Sequence, residues 1–297
     1  MNPILERIRR SNRLKLCAIL SPPLIFLIIF FFFPFTFVFI YSLGMVDYYG
    51  NFVFKITLKY YSSFIQLKGI TTIFMRTIYI ATVTTVLCLI LGYPVAYTIA
   101  TKASERYKHT LMMLVIVPFW VSFLLRTYAI MLLLKPDGLL TNMINTVLLK
   151  LGIIKEPMML LYTMKGVLIG MVYDYLPFMI LPLYTSIEKL DKSLLEASYT
   201  LGANPIRTFI NVTLPLTLPG IIAGSLLVFV PAIGEFVIPA LLGGTESYLI
   251  GNLIWTYFLS GRNWWIGSAI STVFILFVLA VTLIYIKFMA KGGGIEF

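Results

Sequence analysis

Three ionisable residues interrupt long apolar stretches of this chain: Arg126 in "FLLRTYAIML", Asp174 in "GMVYDYLPFMILP" and Glu235 in "FVPAIGEFVIP". A charge in such a setting is costly, about 2.5–3.5 kcal/mol at the centre of a membrane helix. It therefore faces a partner, a bundle interior or a water-filled cavity. Arg126 can neutralise one carboxylate. The other then lacks an internal partner, and a cationic substrate would supply one. Tyr173 and Tyr175 flank Asp174, and Tyr128 lies near Arg126. Tyrosine faces attract alkylammonium groups, worth about 0.5–2 kcal/mol each. Neighbours on a helix point about 100° apart, so the two tyrosines cannot share one wall with Asp174. The alternative is a structural bridge between Arg126 and one acid, with the second acid protonated. Both readings stand at this level.

Other chemistry has little to work with. The single histidine, His109, has no metal-ligand spacing around it, and no G-x-x-x-x-G-K-[ST] phosphate loop occurs. No catalytic residue, metal site or cofactor is expected.

The elements that must position these residues are membrane spans. The chain has 297 residues, 60% of them hydrophobic and 12% charged, with a mean hydropathy of +0.95. So few charges cannot clothe a soluble domain of this size. Six apolar runs reach the roughly 20 residues needed to cross a bilayer: 18–43, 77–100, 110–134, 166–187, 216–242 and 266–286. The run after "ERIRRSNRLK" is too long for a cleaved signal peptide, so it reads as a retained first span. Counting 1.5 Å per residue from the outer ends places Arg126, Asp174 and Glu235 roughly 11–12 Å deep, at a common level.

An even number of spans puts both termini on one side. With cytoplasmic termini, inside segments carry 13 Lys/Arg and outside segments 9, and the inside ones are shorter. The positive-inside rule then favours that orientation. The net charge of +11 reads as topology and anionic-lipid contact, not nucleic-acid binding. Cys17 and Cys88 fall at or within spans and imply no disulfide framework.

Prolines interrupt most spans (Pro34, Pro94, Pro118, Pro177, Pro182, Pro231, Pro239), which membranes tolerate where helices line a cavity or pack on protein. That pattern favours a transporter or channel over an anchor. On the outer side, "LLTNMINTVLLKLG" puts Leu140, Ile144, Leu148 and Leu151 on one face, predicting a short helix along the interface. "NWW" beside Tyr257 reads as an interface belt for the last span.

The long polar segment 188–215 has clear local grammar. Ser193 and Glu196 form an S-x-x-E capping box. Gly202 can end that helix in the left-handed conformation. Asn204 then caps a second helix with Pro205 at its first position. Ile206, Phe209 and Ile210 fall on one face, and Pro215 stops the helix. An apolar face on a polar loop needs cover, either from its own bundle or from a soluble partner.

Here the chain resembles a known family. Glu196-Ala197-Ser198, Gly202 and Val212-Thr213-Leu214-Pro215 resemble the "EAA…G…I-x-L-P" loop of bacterial ABC-importer permeases, with both spacings matched. Ser198 replaces the second alanine and Val212 the isoleucine. The resemblance covers about 72–286. "LGYPVAY", "VPFWVSFLLRTYA", "LPFMILPLYTSIEKLDKSLLEAS", "PGIIAGSLLVFVPAIGEFVIPALLGG" and "IGNLIW" look like the permeases of spermidine/putrescine importers, although relatives carrying other solutes share parts of them. The resemblance implies an all-α polytopic fold of the type I ABC-importer permease class with six transmembrane helices. It divides the chain into 1–71 (cytoplasmic N-terminus, first span, outer loop), a core at 72–286 and a cytoplasmic tail at 287–297.

It also implies an ATPase-coupling role for Glu196, Ala197, Gly202, Asn204, Pro205, Ile206, Phe209 and Pro215. The expected partners are a cytoplasmic ABC ATPase dimer, a second permease, an extracytoplasmic substrate-binding protein and membrane lipid, in a bacterial plasma or inner membrane. The substrate path would run past Asp174, Glu235, Tyr173, Tyr175 and Arg126. The rivals are a permease for another small solute, or a self-contained secondary transporter that uses the acids as an ion relay.

Overall fold

The computed structural model describes residues 12–46, 52–53 and 56–293. The basic cluster Arg7, Arg9 and Arg10 and residues 294–297 of the expected tail lie outside them. The described chain divides into two compact units, one of residues up to Lys68 with Tyr257–Leu276, the other of Gly69–Thr256 with the residues from Phe277 on.

In the first unit, helix α1 (Asn12–Leu27) runs through a π-helical turn (Ile28–Phe32) into α2 (Phe33–Leu43). Together they make an apolar helix, Leu16–Leu43, long enough to cross a membrane. The wide turn sits just ahead of Pro34, whose missing N–H and ring bulk oppose a regular helical rung. Two-residue strands β1 (Met45–Val46) and β2 (Phe52–Val53) then pair antiparallel, with Met45 opposite Val53. This ribbon is a small departure from the all-helical expectation. Helix α3 (Lys59–Ile65) follows, and Tyr61 bonds Ser42 through their hydroxyls at 2.7 Å. Tyr41 meets the rings of Trp264 and Trp265 at centroid distances of 6.2 and 6.5 Å.

The second unit begins with α4 (Ile70–Tyr97), α5 (Glu105–Ile116), α6 (Phe123–Leu133), α7 (Leu139–Lys150) and α8 (Met164–Glu188). Short helices α9 (Lys192–Thr200), α10 (Pro205–Thr208) and α11 (Leu214–Leu216) lead into α12 (Leu218–Ile233), α13 (Val237–Leu242) and α14 (Ile250–Trp255). The last helix, α15 (Trp264–Gly293), starts in the first unit and continues past the expected end of its span at 286.

Among the described residues, four helices are long and apolar enough to span a membrane, and up to six spans result if each of two bent pairs counts as one. The bent pairs correct two expectations. The third run is not one rod: Glu105–Trp120 and Phe123–Leu133 meet at 94°. The chain extends at Val121 and Ser122, just after a 3-10 turn that contains Pro118. The fifth run is also broken. Its helix covers Leu218–Ile233, turns by 66° from the preceding Pro205–Leu216 segment, and stops before Glu235.

At the centre of this unit α4, α8 and α12 pack through small residues. A Cβ on Gly220 would stand 2.4 Å from Ser186 Cβ and 2.8 Å from the Pro182 carbonyl oxygen, and one on Gly224 2.8 Å from Met179 Sδ. In a bilayer apolar surface gains little by leaving lipid, so this close backbone approach, with its van der Waals contacts, holds spans together. Polar ties add to it. Tyr93 and Thr217 share a hydroxyl hydrogen bond at 2.8 Å, and the Ile250 N–H donates to Thr77 Oγ1 at 3.0 Å.

Candidate functional site: a polar cluster at two helix breaks and an exposed double-helix loop

The structure brings Arg126, Asp174, Tyr175 and Glu235 together. Arg126 lies in the first turn of α6, just past the 94° break. Its Nη1 stands 3.0 Å from Asp174 Oδ1 on α8. Its guanidinium carbon also lies 5.4 Å from the centre of the Phe119 ring, before the break, and 6.0 Å from that of Phe123, after it. One side chain thus ties both limbs of the bent span to α8.

Glu235 sits between helices rather than within one, so its depth cannot be counted at a helical rise. Its Oε1 accepts from the backbone N–H groups of Phe236, Val237 and Ile238 at 3.0, 2.8 and 3.3 Å. These are the free amides at the start of α13, where negative charge is favoured. Its Oε2 accepts from the Tyr175 hydroxyl at 2.6 Å. The premise that one acid would lack an internal partner is therefore corrected: Arg126 serves Asp174, and a helix start plus a tyrosine serves Glu235. Asn252, not singled out from sequence, donates from Nδ2 to the Phe236 carbonyl at 2.7 Å and fixes the same break to α14. A lone amide inside the apolar "LIGNLIW" was the available signal.

The two acids are unequally satisfied. Asp174 is 1% exposed, yet Oδ1 has only the ion pair without hydrogen-bond geometry, and Oδ2 only a long 3.5 Å bond from Thr127. Tyr173 points away and is 42% exposed, so it does not join the cluster, and Tyr128 is exposed as well.

The loop keeps most of its sequence grammar. Gly202 has φ +81°, and a Cβ there would meet nothing within 4 Å, so backbone conformation alone selects glycine. Asn204 caps α10, accepting from the Arg207 N–H at 2.8 Å, with Pro205 in the first turn. The first cap differs. Asp191, not Ser193, starts α9, accepting from the Ser193 N–H at 2.9 Å, and this bond holds its carboxyl below the usual range. Ser193 and Glu196 therefore do not form the expected capping box.

Two further corrections concern the apolar stripe. Phe209, the first residue of a π-helical turn (Phe209–Thr213), packs into the bundle against Tyr93 at 5.4 Å and Tyr97 at 6.5 Å, while Ile206 stays exposed. Pro215 does not stop the helix, which runs through it to Leu216 and turns at Thr217. Glu196, Ala197, Ile206 and Ile210 remain exposed, and Leu201 at the tip is 88% exposed. Ser198, the departure from the family pattern, bonds Thr208 through their hydroxyls at 2.8 Å and clips α9 to α10.

Broken apolar spans around a polar cluster, with a rigid double-helix loop held out between α8 and α12, define the membrane subunit of a transporter. Residues 89–290 match the family described as binding-protein-dependent transport system inner membrane component, and the chain belongs to that family, the permeases of type I ABC importers. It is 47% identical over 209 residues to the spermidine/putrescine transport system permease protein PotB of Haemophilus influenzae, covering 70% of this chain and 71% of that one. The protein of the same name from Escherichia coli K12 is 44% identical over 213 residues, 72% and 76% of the two chains. The fold matches a solved bacterial ABC transporter involved in import of the acidic polysaccharide alginate, with a TM-score of 0.74 at 17% identity over 98% of this chain and 99% of that one.

Proposed function

We propose that this chain is the membrane-spanning permease subunit of an importer that moves polyamines of the spermidine/putrescine type into the cytoplasm, while a partner subunit hydrolyses ATP. The observation that carries the reading is the 44–47% identity to permeases of that name across more than two thirds of the chain. A multi-pass chain with cytoplasmic termini then presents 188–215 to an ATPase, through Glu196, Ala197, Leu201, Ile206 and the turn at Gly202. Phe209 anchors that loop to the bundle, and Pro215 stays exposed beside it. A second permease and an extracytoplasmic binding protein complete the assembly.

For the substrate path, the cluster holds two carboxylates against one guanidinium, a surplus suited to a cation. Asp174 has unfilled hydrogen-bonding capacity and is the acid that receives an ammonium group. Glu235 and Tyr175 hold the break beside it. Because Asp174 is closed over in this conformation, its access requires α6 to part from α8. The test is uptake of labelled spermidine and putrescine into cells or liposomes carrying the chain with and without its co-expressed ATPase, binding protein and second permease. Uptake that persists without the ATPase would sink the importer reading. ATP-dependent uptake of other solutes with no polyamine uptake would sink the substrate.

A further inference from the structure

Helix α7 offers a surface that neither the coupling loop nor the polar cluster uses. It joins the end of α6 to the segment before α8, and two residues pin it. Thr141 donates to the Leu134 carbonyl at 2.9 Å, while Asn145 exchanges two hydrogen bonds with the main chain of Met158, at 2.9 and 3.0 Å. Thr141 and Asn145 are buried. These bonds fix the rotation of the helix about its own axis.

With the rotation fixed, each face has an assigned direction. At 100° per residue Leu139, Met143 and Val147 form one stripe, bordered by Leu140, Ile144 and Leu148. The second set, part of the apolar face from which the sequence placed this helix along the interface, is half covered by the chain. The first set is open, at 65%, 57% and 54% exposure. Asn142, Thr146 and the partly exposed Leu149 continue the exposed arc on the other side, and Lys150 projects from the last turn in line with the apolar stripe, between Leu139 and Met143. Lys135, Lys155 and Lys165, near the helix in sequence, are exposed too, against two acids, Asp137 and Glu156. The pattern is an apolar stripe beside a more polar edge, with a cation at its C-terminal end that can reach past the apolar surface.

We propose that α7 is a membrane-surface helix. Its Leu139–Met143–Val147 edge enters the acyl region at this end of the bundle, and its lysines hold the headgroups of anionic lipids. The hydrogen bonds to Leu134 and Met158 keep the helix at the depth set by the adjoining spans. Charge complementarity selects anionic over zwitterionic headgroups, since a lysine at such a surface gains roughly fivefold in affinity.

The experiment uses the chain with its co-expressed partners in nanodiscs, with single spin labels at Met143→Cys, Val147→Cys and Asn142→Cys. Labels at 143 and 147 should collide mainly with oxygen, and the label at 142 mainly with a water-soluble nickel chelate. Native mass spectrometry should show phosphatidylglycerol retained over phosphatidylcholine, and the pair Lys150→Gln/Lys155→Gln should weaken that retention by more than tenfold. Labels at 143 and 147 shielded from both reagents, or shielded only when a binding protein is added, would mean a protein covers the edge and would overturn the proposal. Nickel-dominated collisions at 143, or phosphatidylglycerol retention unchanged in the lysine variant, would overturn it too.

Discussion

Asp174 and Tyr175 are neighbours on α8, yet each holds a different break. Asp174 pairs with Arg126 at 3.0 Å just past the bend of the third span, and Tyr175 donates at 2.6 Å to Glu235 between α12 and α13. Two consecutive side chains, about 100° apart, thus reach two broken segments from one continuous helix.

The Arg126–Asp174 pair gives the first prediction. Removing one partner leaves the other buried and uncompensated, at a cost of about 3–5 kcal/mol, whereas an apolar pair can be nearly neutral. Arg126→Gln should therefore lower the yield and melting temperature of folded protein, and Arg126→Met/Asp174→Leu should restore both. Asp174→Asn keeps size and hydrogen bonding. It still leaves the Arg126 charge unpaired, so uptake is compared per assembled complex: if Asp174 receives substrate, that variant loses at least tenfold in polyamine uptake beyond its loss of yield. Normal uptake by Asp174→Asn would make the residue purely structural.

At the second break, Glu235→Ala strips the cap from three amides and leaves the Tyr175 hydroxyl without its acceptor. Each buried group left unmatched costs about 1–3 kcal/mol. Tyr175→Phe removes only one bond and should be milder. Thermal unfolding in detergent ranks the two, and an equal or reversed order would contradict the capping role.

If the loop at 188–215 couples to an ATPase, Gly202→Asp should leave membrane insertion intact and reduce uptake by at least tenfold, because the turn loses its left-handed residue and gains a charge at the tip. Co-purification of the ATPase is the companion measurement. Unchanged uptake would remove the loop from coupling. A pH dependence accompanies this. The Asp191 carboxyl is depressed by the Ser193 amide, so its stabilisation of α9 is present above the ordinary carboxylate range. It is lost as pH falls through the lowered value. The protection of the Ser193 amide, its exchange measured against the intrinsic rate at each pH, should be present at neutral pH and lost in acid.

Topology can be read directly by labelling single cysteines at His109, Lys192, Lys150 and Glu246 in a background free of Cys17 and Cys88. Cys88 is fully buried, so alanine is the safer replacement. Cytoplasmic labelling is expected at 109 and 192, and outside labelling at 150 and 246. Outside labelling at Lys192 would overturn both the orientation and the docking loop.

Hydropathy located the spans because bilayer thickness sets a length that composition alone can meet. The caps at Gly202 and Asn204-Pro205 were legible because they depend on residues within one turn. What escaped was geometry that apolar residues share. Pro118 marked a possible interruption of the third span, but not its 94° angle, and a hydropathy window carried the helix of the fifth run through Gly234 to Glu235. Phe209 was misplaced because its partners, Tyr93 and Tyr97, lie on a distant helix that the loop's own periodicity does not reveal. On α7 two apolar stripes fit one pattern, and only the bonds of Thr141 and Asn145 decide which stays open.

Helix α8 is the column between the double-helix loop and the polar cluster. Asp174 lies 14 residues above Glu188, roughly 21 Å along the axis. Pro177 and Pro182 both fall within that length, so the rungs that would close on Tyr173 and Phe178 are missing. The column is therefore compliant at two levels and stiff elsewhere. A tilt at its foot would bend it most easily between 173 and 182, so the two prolines set where this column can yield.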